Sequence, residues 1–351
     1  MRIVIIGGTG FIGSRLAAQL ADHGHELLSV QRRISAALPQ SIRQLACDHQ
    51  ELHAVSSQLR GFRPDVVIDV ISSSAGQARS TVEVCAGYTG RIVSVSSQDV
   101  YKAFGIFHGT EEGGIEPVPL TEDSPRRSRR DTYPRELLVR LRKERSWVTE
   151  EYSNAEMEDV VMNAAAQPST VLRLPMVYGP GDYIHRLYPI LKRIDDGRQV
   201  IPIADLVAQW RSPRGYVDNV AAAIALAAES TAAAGQVFNV AEPESFSEQE
   251  WTKLVADAAG WNGSITVIPF DRAPAHLRLP GNFAQHGASS SSRIRELLGY
   301  REIIDRGEAL LRTIAWERAH PPDPLPKFDY VAEEASVSEI QGGPTRLPIL
   351  E

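Results

Sequence analysis

The segment Gly7-Gly8-Thr9-Gly10-Phe11-Ile12-Gly13 constrains the fold more than any other stretch, because of what flanks it. Ile3-Val4-Ile5-Ile6 precedes it as a short run of β-branched residues, the pattern of a strand buried on both faces. Ile12, Leu16 and Leu20 recur at helical spacing behind it, and Gly24 can close that helix. A strand that turns through glycines straight into a helix gathers unpaired backbone amides and the positive end of the helix dipole at one point. That point suits a pyrophosphate, and the glycines allow a tight turn and a close backbone approach. Gly7, Thr9, Gly10, Phe11, Ile12 and Gly13 are the residues expected to touch a dinucleotide. A glycine-rich turn that binds nothing is the alternative.

The alternation of strand and helix continues. Leu27 to Val30, Val66-Val67-Ile68 after Pro64-Asp65, and Ile92-Val93-Ser94-Val95 read as further short strands. Strands separated by helices need crossovers, which implies a parallel sheet covered on both faces: a Rossmann-type, doubly wound α/β fold. Residues 104–134 hold several Gly and Pro without a sustained period, which predicts a long loop. A helix is expected over about 150–165, then a strand at Val171-Leu172-Arg173-Leu174. Val220 to Glu229 is an Ala-rich helix, and Val237-Phe238-Asn239-Val240 a short strand. Ser247 with Glu250 forms a capping box before a helix bearing Trp251, Leu254, Val255 and Ala258. Arg293 to Leu298 reads as a helix that stops at Gly299. The chain so divides into a dinucleotide-binding domain over 1–170, with 171–180 and 214–240 contributing, a smaller C-terminal α/β substrate lobe over 181–320, and an irregular tail over 321–351.

Charge and cysteine content narrow the partners. Lys plus Arg is 37 against 44 for Asp plus Glu, a net charge of -7, which argues against nucleic acid. Cys47 and Cys85 are too few for a disulfide framework and fit a reducing compartment. No apolar run approaches the ~20 residues that span a bilayer. No signal peptide is expected at the start, since its apolar part is only Ile3 to Ile6. A cytoplasmic location is expected, with no membrane partner and no metal.

The glycine spacing is G-x-x-G-x-x-G, and it resembles that of the extended short-chain dehydrogenase/reductase family, the branch of nucleotide-sugar epimerases, dehydratases and reductases. The likeness continues through ordered motifs over about residues 1–316. Cys47-Asp48 follows a third strand, where the family places an Asp near the adenine. Ser96-Ser97-Gln98-Asp99-Val100-Tyr101 resembles the family's S-S-x-x-V-Y stretch. Leu172 to Gly181, LRLPMVYGPG, resembles its R-x-x-x-V-Y-G-P-G segment and implies a cofactor contact at Pro175. Arg214 to Ala221 resembles the stretch that supplies an arginine to a substrate diphosphate, and Ser292 to Tyr300 resembles its late helix. The resemblance thus implies a nicotinamide coenzyme, with Tyr101, Arg214 and Arg293 toward an anionic small-molecule substrate. Gln31, Arg32 and Arg33 follow the second strand, with no acid to bind the ribose hydroxyls of NAD. Arg32 and Arg33 can pair with the extra phosphate of NADP, which makes NADP the first choice and NAD the second.

The resemblance also implies a reaction centre of a Ser or Thr, a Tyr and a Lys four residues beyond it. Ser97 matches the hydroxyl by its place before Val100-Tyr101. The Tyr-Lys pair has no match: no Lys lies between Lys143 and Lys192. Taking Tyr152 as the Tyr puts Glu156 at the Lys position, and a carboxylate there disfavours the phenolate. Aligning Glu158 with the family's later Glu puts Asn154 at the Lys position and Glu150 at the Tyr position; Asn can still bond a coenzyme ribose. Candidate acid/base groups are accordingly Glu150, Tyr152, Tyr101 and His108, the last for its ordinary pKa near neutrality. An NAD(P)-dependent oxidoreductase or epimerase on a nucleotide-sugar-like or secondary-metabolite substrate follows. A non-redox lyase or isomerase on the same fold, or a non-catalytic NADP-sensing or RNA-associated protein, are the alternatives.

Arg126, Arg127, Arg129 and Arg130 stand in a basic stretch that could attract an anion near the site mouth or remain a solvated loop. A homodimer would use Met157, Val160 and Val161, although packing within one chain explains the same apolar face.

Overall fold

In the computed structural model, residues 1–144, 148–165 and 167–341 are described. Strands β1 (Arg2–Ile6), β2 (Glu26–Gln31), β3 (Arg43–Ala46), β4 (Val66–Asp69), β5 (Arg91–Ser97) and β6 (Ser169–Leu174) join the strand Val237–Asn239 in one seven-stranded sheet. All neighbours run parallel, in the order β3-β2-β1-β4-β5-β6 followed by Val237–Asn239. The order reverses beside β1, so the carboxyl ends of β1 and β4 open a crevice on one edge of the sheet, where this fold class binds its ligands.

The strand period explains why both faces are covered. Ile3 and Ile5 fall into one core cluster, with Leu16 and Leu20 of helix α1 (Phe11–Asp22) and Val220 and Ile224 of the helix Val217–Glu229. Val4 and Ile6 fall into the other, with Leu52, Leu59 and Phe62. Each such fully buried side chain contributes ~1.5–3 kcal/mol from water exclusion. A separate parallel pair, Val200–Ala204 with Ser264–Ile268, carries its own core cluster, in which Ile201, Ile203 and Ile268 pack with Phe283. A third parallel pair joins Met176–Tyr178 to Arg214–Tyr216. No helix among the described residues is long and apolar enough to cross a membrane.

Three expectations are corrected. The stretch 104–134 is not all loop: Lys102–His108 is helical and stops at Gly109, in the left-handed conformation. Two turns are too short for a hydrophobic period to register. The rest of the stretch is irregular but tied down, since the Glu111 carboxylate accepts from the Ser128 and Arg129 amides at 2.7 and 2.6 Å. Arg135–Glu144 is a helix the basic composition concealed, although Leu137, Leu138 and Leu141 carry helical spacing. The tail is also partly regular: Tyr330–Gln341 is a helix whose Glu333 bonds Arg193 Nε at 3.1 Å and His276 at 2.8 Å. The remainder of that tail, 342–351, lies outside the described residues. The expected helix over 150–165 spans Asn154–Met162 and packs on Ala75–Cys85. Its Met157 and Val161 are buried there with Ala78 and Val171, so packing within the chain accounts for them.

Candidate functional site

The carboxyl ends of the central strands deliver their side chains to one cavity of about 550 Å³, within the usual size of a small-molecule site. At one end lies the glycine turn. Gly7 sits at φ +94°, a conformation L side chains rarely adopt, and its amide bonds the Val30 carbonyl at 2.8 Å. A Cβ on Gly13 would overlap the Gly7 carbonyl, so α1 can begin this close to β1 only with glycine there. The α1 N-cap is Gly10, which offers no side chain to the first-turn amides, and no acid stands in that turn. The amides and dipole end are therefore left for an external anion. The cradle fits a dinucleotide pyrophosphate. Phe11 and Ile12 line the cavity beyond it, and Pro175 lines the facing wall; Thr9 is exposed at the tip of the turn.

Two other cofactor candidates lie off the cavity wall. Arg32 and Arg33 are exposed directly beyond β2, and Asp48 caps the turn after β3 by accepting from the Gln50 amide at 3.0 Å. The loop Val70 to Ser73, which lines the cavity, is held by Asp69 at the end of β4. That carboxylate accepts from the Ile71 and Ser72 amides and from His49 and Thr81. Burial alone would raise its pKa, but the His49 charge and these hydrogen bonds bring it down to about 2.

At the other end, β5 delivers Ser97, and the turn Gln98–Val100 delivers Asp99. Ser97 Oγ accepts from the Asp99 amide at 3.2 Å, which orients the turn. Three donors converge on the Asp99 carboxylate. Tyr152 Oη and Tyr133 Oη donate to Oδ2 at 2.7 and 3.1 Å, and Asn154 Nδ2 donates to Oδ1 at 3.2 Å. Asn154 Nδ2 also lies 2.9 Å from Tyr152 Oη. Asn154 takes the first position of its helix because Ser153 caps it, accepting from the Glu156 amide, while the Ser153 amide bonds the Ser73 carbonyl. Burial, then the Asp99 charge, pushes the Tyr152 phenol well above its ordinary range, and the same causes raise Tyr133. His108 lines the cavity beside Tyr133, ring centroids 5.1 Å apart; burial and the nearby Arg127 charge push it down to about 4. Its role at neutral pH is that of a neutral ring, which corrects the expectation of a group titrating near neutrality.

The two alignments weighed for the Tyr-Lys pair each send one residue to the cavity. Tyr152 from one and Asn154 from the other stand side by side in the cavity. Glu150 does not: its side chain is 90% exposed and pairs with Arg142. Glu156 pairs with Arg130 at 3.5 Å and does not line the cavity. Glu158 is buried beneath the site, bonded to Ser96 Oγ at 2.6 Å and to Arg173 at 2.8 Å.

Tyr101, Arg214 and Arg293 are not among the lining residues either. The Tyr101 hydroxyl donates to Asn239 at 2.6 Å and accepts from Arg173 at 3.0 Å, and burial pushes its pKa up to about 12. Arg214 pairs with Glu248 and lies 4.5 Å from the Trp251 ring centroid. Arg293 pairs with Asp123 and Glu122. The basic stretch is likewise engaged: Arg126 with Asp159, Arg129 with Glu112, Arg130 with Glu156, and Arg127 with the Asp99 carbonyl. His23, His25 and Glu229 place three potential metal-ligand atoms within 4.8 Å of one another, and none of the three lines the cavity. Sequence reasoning missed Asp99 and Tyr133. Asp99 lies inside the S-S-x-x-V-Y stretch, a usable signal. Tyr133 lies within the irregular segment and carries none.

A sequence model of the NAD dependent epimerase/dehydratase family matches residues 3–241. The 2'-dehydrokanamycin reductase of Streptomyces kanamyceticus is 32% identical over 98 residues; the match spans 28% of this chain and 28% of that protein. The 3-diazoavenalumate denitrifying reductase of a Streptomyces species is 26% identical over 317 residues, 86% of this chain and 96% of that protein. The fold is similar to that of a dTDP-glucose 4,6-dehydratase from Streptomyces venezuelae solved with NAD and TYD bound. The TM-score is 0.66 at 19% identity, over 93% of this chain and 100% of that one.

Proposed function

Starting from a chain that belongs to the NAD dependent epimerase/dehydratase family, and so from an enzyme of that type, we propose an NADP-dependent oxidoreductase whose proton handling is done by Tyr152 with Asp99. The observation that carries this is the 2.7 Å hydrogen bond from Tyr152 Oη to Asp99 Oδ2, beside Ser97 on the same cavity wall. The names of the two reductase relatives support a reduction of a secondary metabolite, and that of the 2'-dehydrokanamycin reductase supports a carbonyl as the reacting group.

A nicotinamide bound along the glycine turn supplies the hydride donor or acceptor. Ser97 Oγ holds the substrate oxygen by donating to it. In the oxidative direction, the substrate hydroxyl proton passes to Tyr152 Oη while the Tyr152 proton moves to Asp99 Oδ2. Reduction runs the reverse way, from the protonated Asp99 carboxyl through Tyr152 to the substrate oxygen. A lysine would stabilise a standing phenolate; a phenol already bonded to a carboxylate needs none, since its proton has an acceptor in place. Asn154 holds both groups through Nδ2. Arg32 and Arg33 favour NADP over NAD, and the cytoplasm, which keeps the free thiols of Cys47 and Cys85 reduced, is the proposed location.

The test is the change in reduced-nicotinamide absorbance with carbonyl and carbinol panels. Asp99→Asn and Tyr152→Phe should each lower turnover ~10²–10⁴-fold. Full turnover by Asp99→Asn would remove Asp99 from the chemistry. A product formed without coenzyme absorbance change would favour the non-redox isomerase.

A further inference from the structure

The substrate end of the cavity has a composition that a nucleoside diphosphate does not explain. Its wall beyond Ser97 is made of Phe104, Phe107, His108, Tyr133, Trp210 and Pro213. The rings form a braced set. Phe107 stacks on Trp210 with centroids 4.6 Å apart and planes 26° from parallel, and Phe283 meets Phe107 edge-on at 5.4 Å. Trp210 cannot swing freely, because its Nε1 donates to the Gln285 carbonyl at 2.8 Å. Tyr133 lies nearly parallel to Tyr152, centroids 6.0 Å apart, so the aromatic wall runs up to the reacting hydroxyl.

The charges around this wall are unsuited to a diphosphate. Among the described lining residues the only carboxylate is Asp99 and the only cation Arg186, whose guanidinium is held by Asp182 at 2.7 Å. Arg214, the expected diphosphate partner, and Arg293, expected toward the substrate, are paired with acids and are not among the cavity's lining residues. The lining His108 is neutral at pH 7. Drawing a multiply charged anion out of water beside a carboxylate, with no unpaired cation to receive it, is costly. A flat uncharged ring loses only its hydration shell and gains offset or edge contacts with Trp210, Phe104 and Tyr133.

We propose that the substrate of this site is an uncharged aromatic compound whose ring lies against Trp210 and Phe104, with its reacting oxygen beside Ser97 and Tyr152. The placement of that oxygen rests on the function proposed above; the ring's site does not.

The test is calorimetric titration of the full chain with 2-acetylnaphthalene and with dTDP, each with and without saturating NADP. The ring compound should bind, and dTDP should not displace it. Trp210→Ala should weaken ring binding roughly tenfold or more, the size of one aromatic stack. Trp210→Phe should retain it, and unchanged melting of both variants shows that the fold survives. If Trp210→Ala fails to fold, Phe104→Leu serves the same purpose. Absence of ring binding, displacement by dTDP, or ring binding unaffected by the variants overturns the proposal. Ring binding lost in Trp210→Ala, in a protein that takes up no coenzyme, would leave the aromatic site standing and sink the oxidoreductase.

Discussion

Replacing Asn154 with Lys brings a positive charge beside Tyr152 and Asp99, and the size of the response can be worked out in advance. Asn154 is 5% exposed and its Nδ2 lies 2.9 Å from Tyr152 Oη and 3.2 Å from Asp99 Oδ1. A Lys ammonium in the adjoining cavity can reach both groups. A unit charge ~4 Å from the phenol, at an effective dielectric of about 20, is worth ~4 kcal/mol, or roughly three pH units. The Asp99 charge now raising Tyr152 would be neutralised by the same ammonium. In the native chain the folded phenol keeps its proton to higher pH than the unfolded one. Its contribution to stability is therefore present below about pH 10 and lost as pH rises through the folded value. In Asn154→Lys the Tyr152 phenol should ionise at clearly lower pH than in the native chain, by about the shift just worked out. Tyrosinate absorbance, titrated on coenzyme-free protein, reads this directly. The new ionisation should disappear in Asn154→Lys combined with Tyr152→Phe. A folded Asn154→Lys protein that titrates like the native chain would refute the geometry assigned to these three side chains.

Gly13→Ala forces a Cβ onto the Gly7 carbonyl; it should cost ~1–3 kcal/mol of stability and abolish measurable coenzyme binding by calorimetry. Arg32→Ala with Arg33→Ala should weaken NADP at least roughly tenfold and leave NAD nearly unchanged, since a lost phosphate contact is worth ~1.5–3 kcal/mol. Glu158→Ala leaves Arg173 as an unpaired buried charge and should cost ~3–5 kcal/mol in denaturant unfolding. His108 has its pKa depressed from 6.5 to about 4 in the folded chain. The stability it contributes is complete above pH 6.5 and lost as pH falls toward 4. The loss is at most ~3 kcal/mol, and less because the ring is only partly buried; His108→Phe should flatten that part of the stability-pH curve.

The Rossmann half was legible because its signals are local. Ile3 to Ile6, the glycines and Ile12, Leu16 and Leu20 each state a period or a turn within a few residues, and the sheet follows from their alternation. The capping box at Ser247 and Glu250 was legible for the same reason, and both of its hydrogen bonds form. The cavity was only partly so. Ser97, Tyr152 and Asn154 were singled out in the sequence and line it, but the placing of the helix that carries Asn154 depends on the Ser153 amide bonding the Ser73 carbonyl across a long gap in sequence. Two arginines show the opposite limit. Arg214 and Arg293 sit in stretches that resemble the family's, yet they pair with Glu248 and Asp123 in space, and no local pattern announces those partners. The helix Arg135–Glu144 was hidden because its charges masked a leucine spacing that was there to be read.

Titration of NADP and NAD into the purified protein, followed by heat release, bears most directly on the glycine turn as a dinucleotide cradle. Saturable binding of both, with NADP the tighter, is expected. No heat from either coenzyme in folded protein would contradict it, and the oxidoreductase reading would go with it.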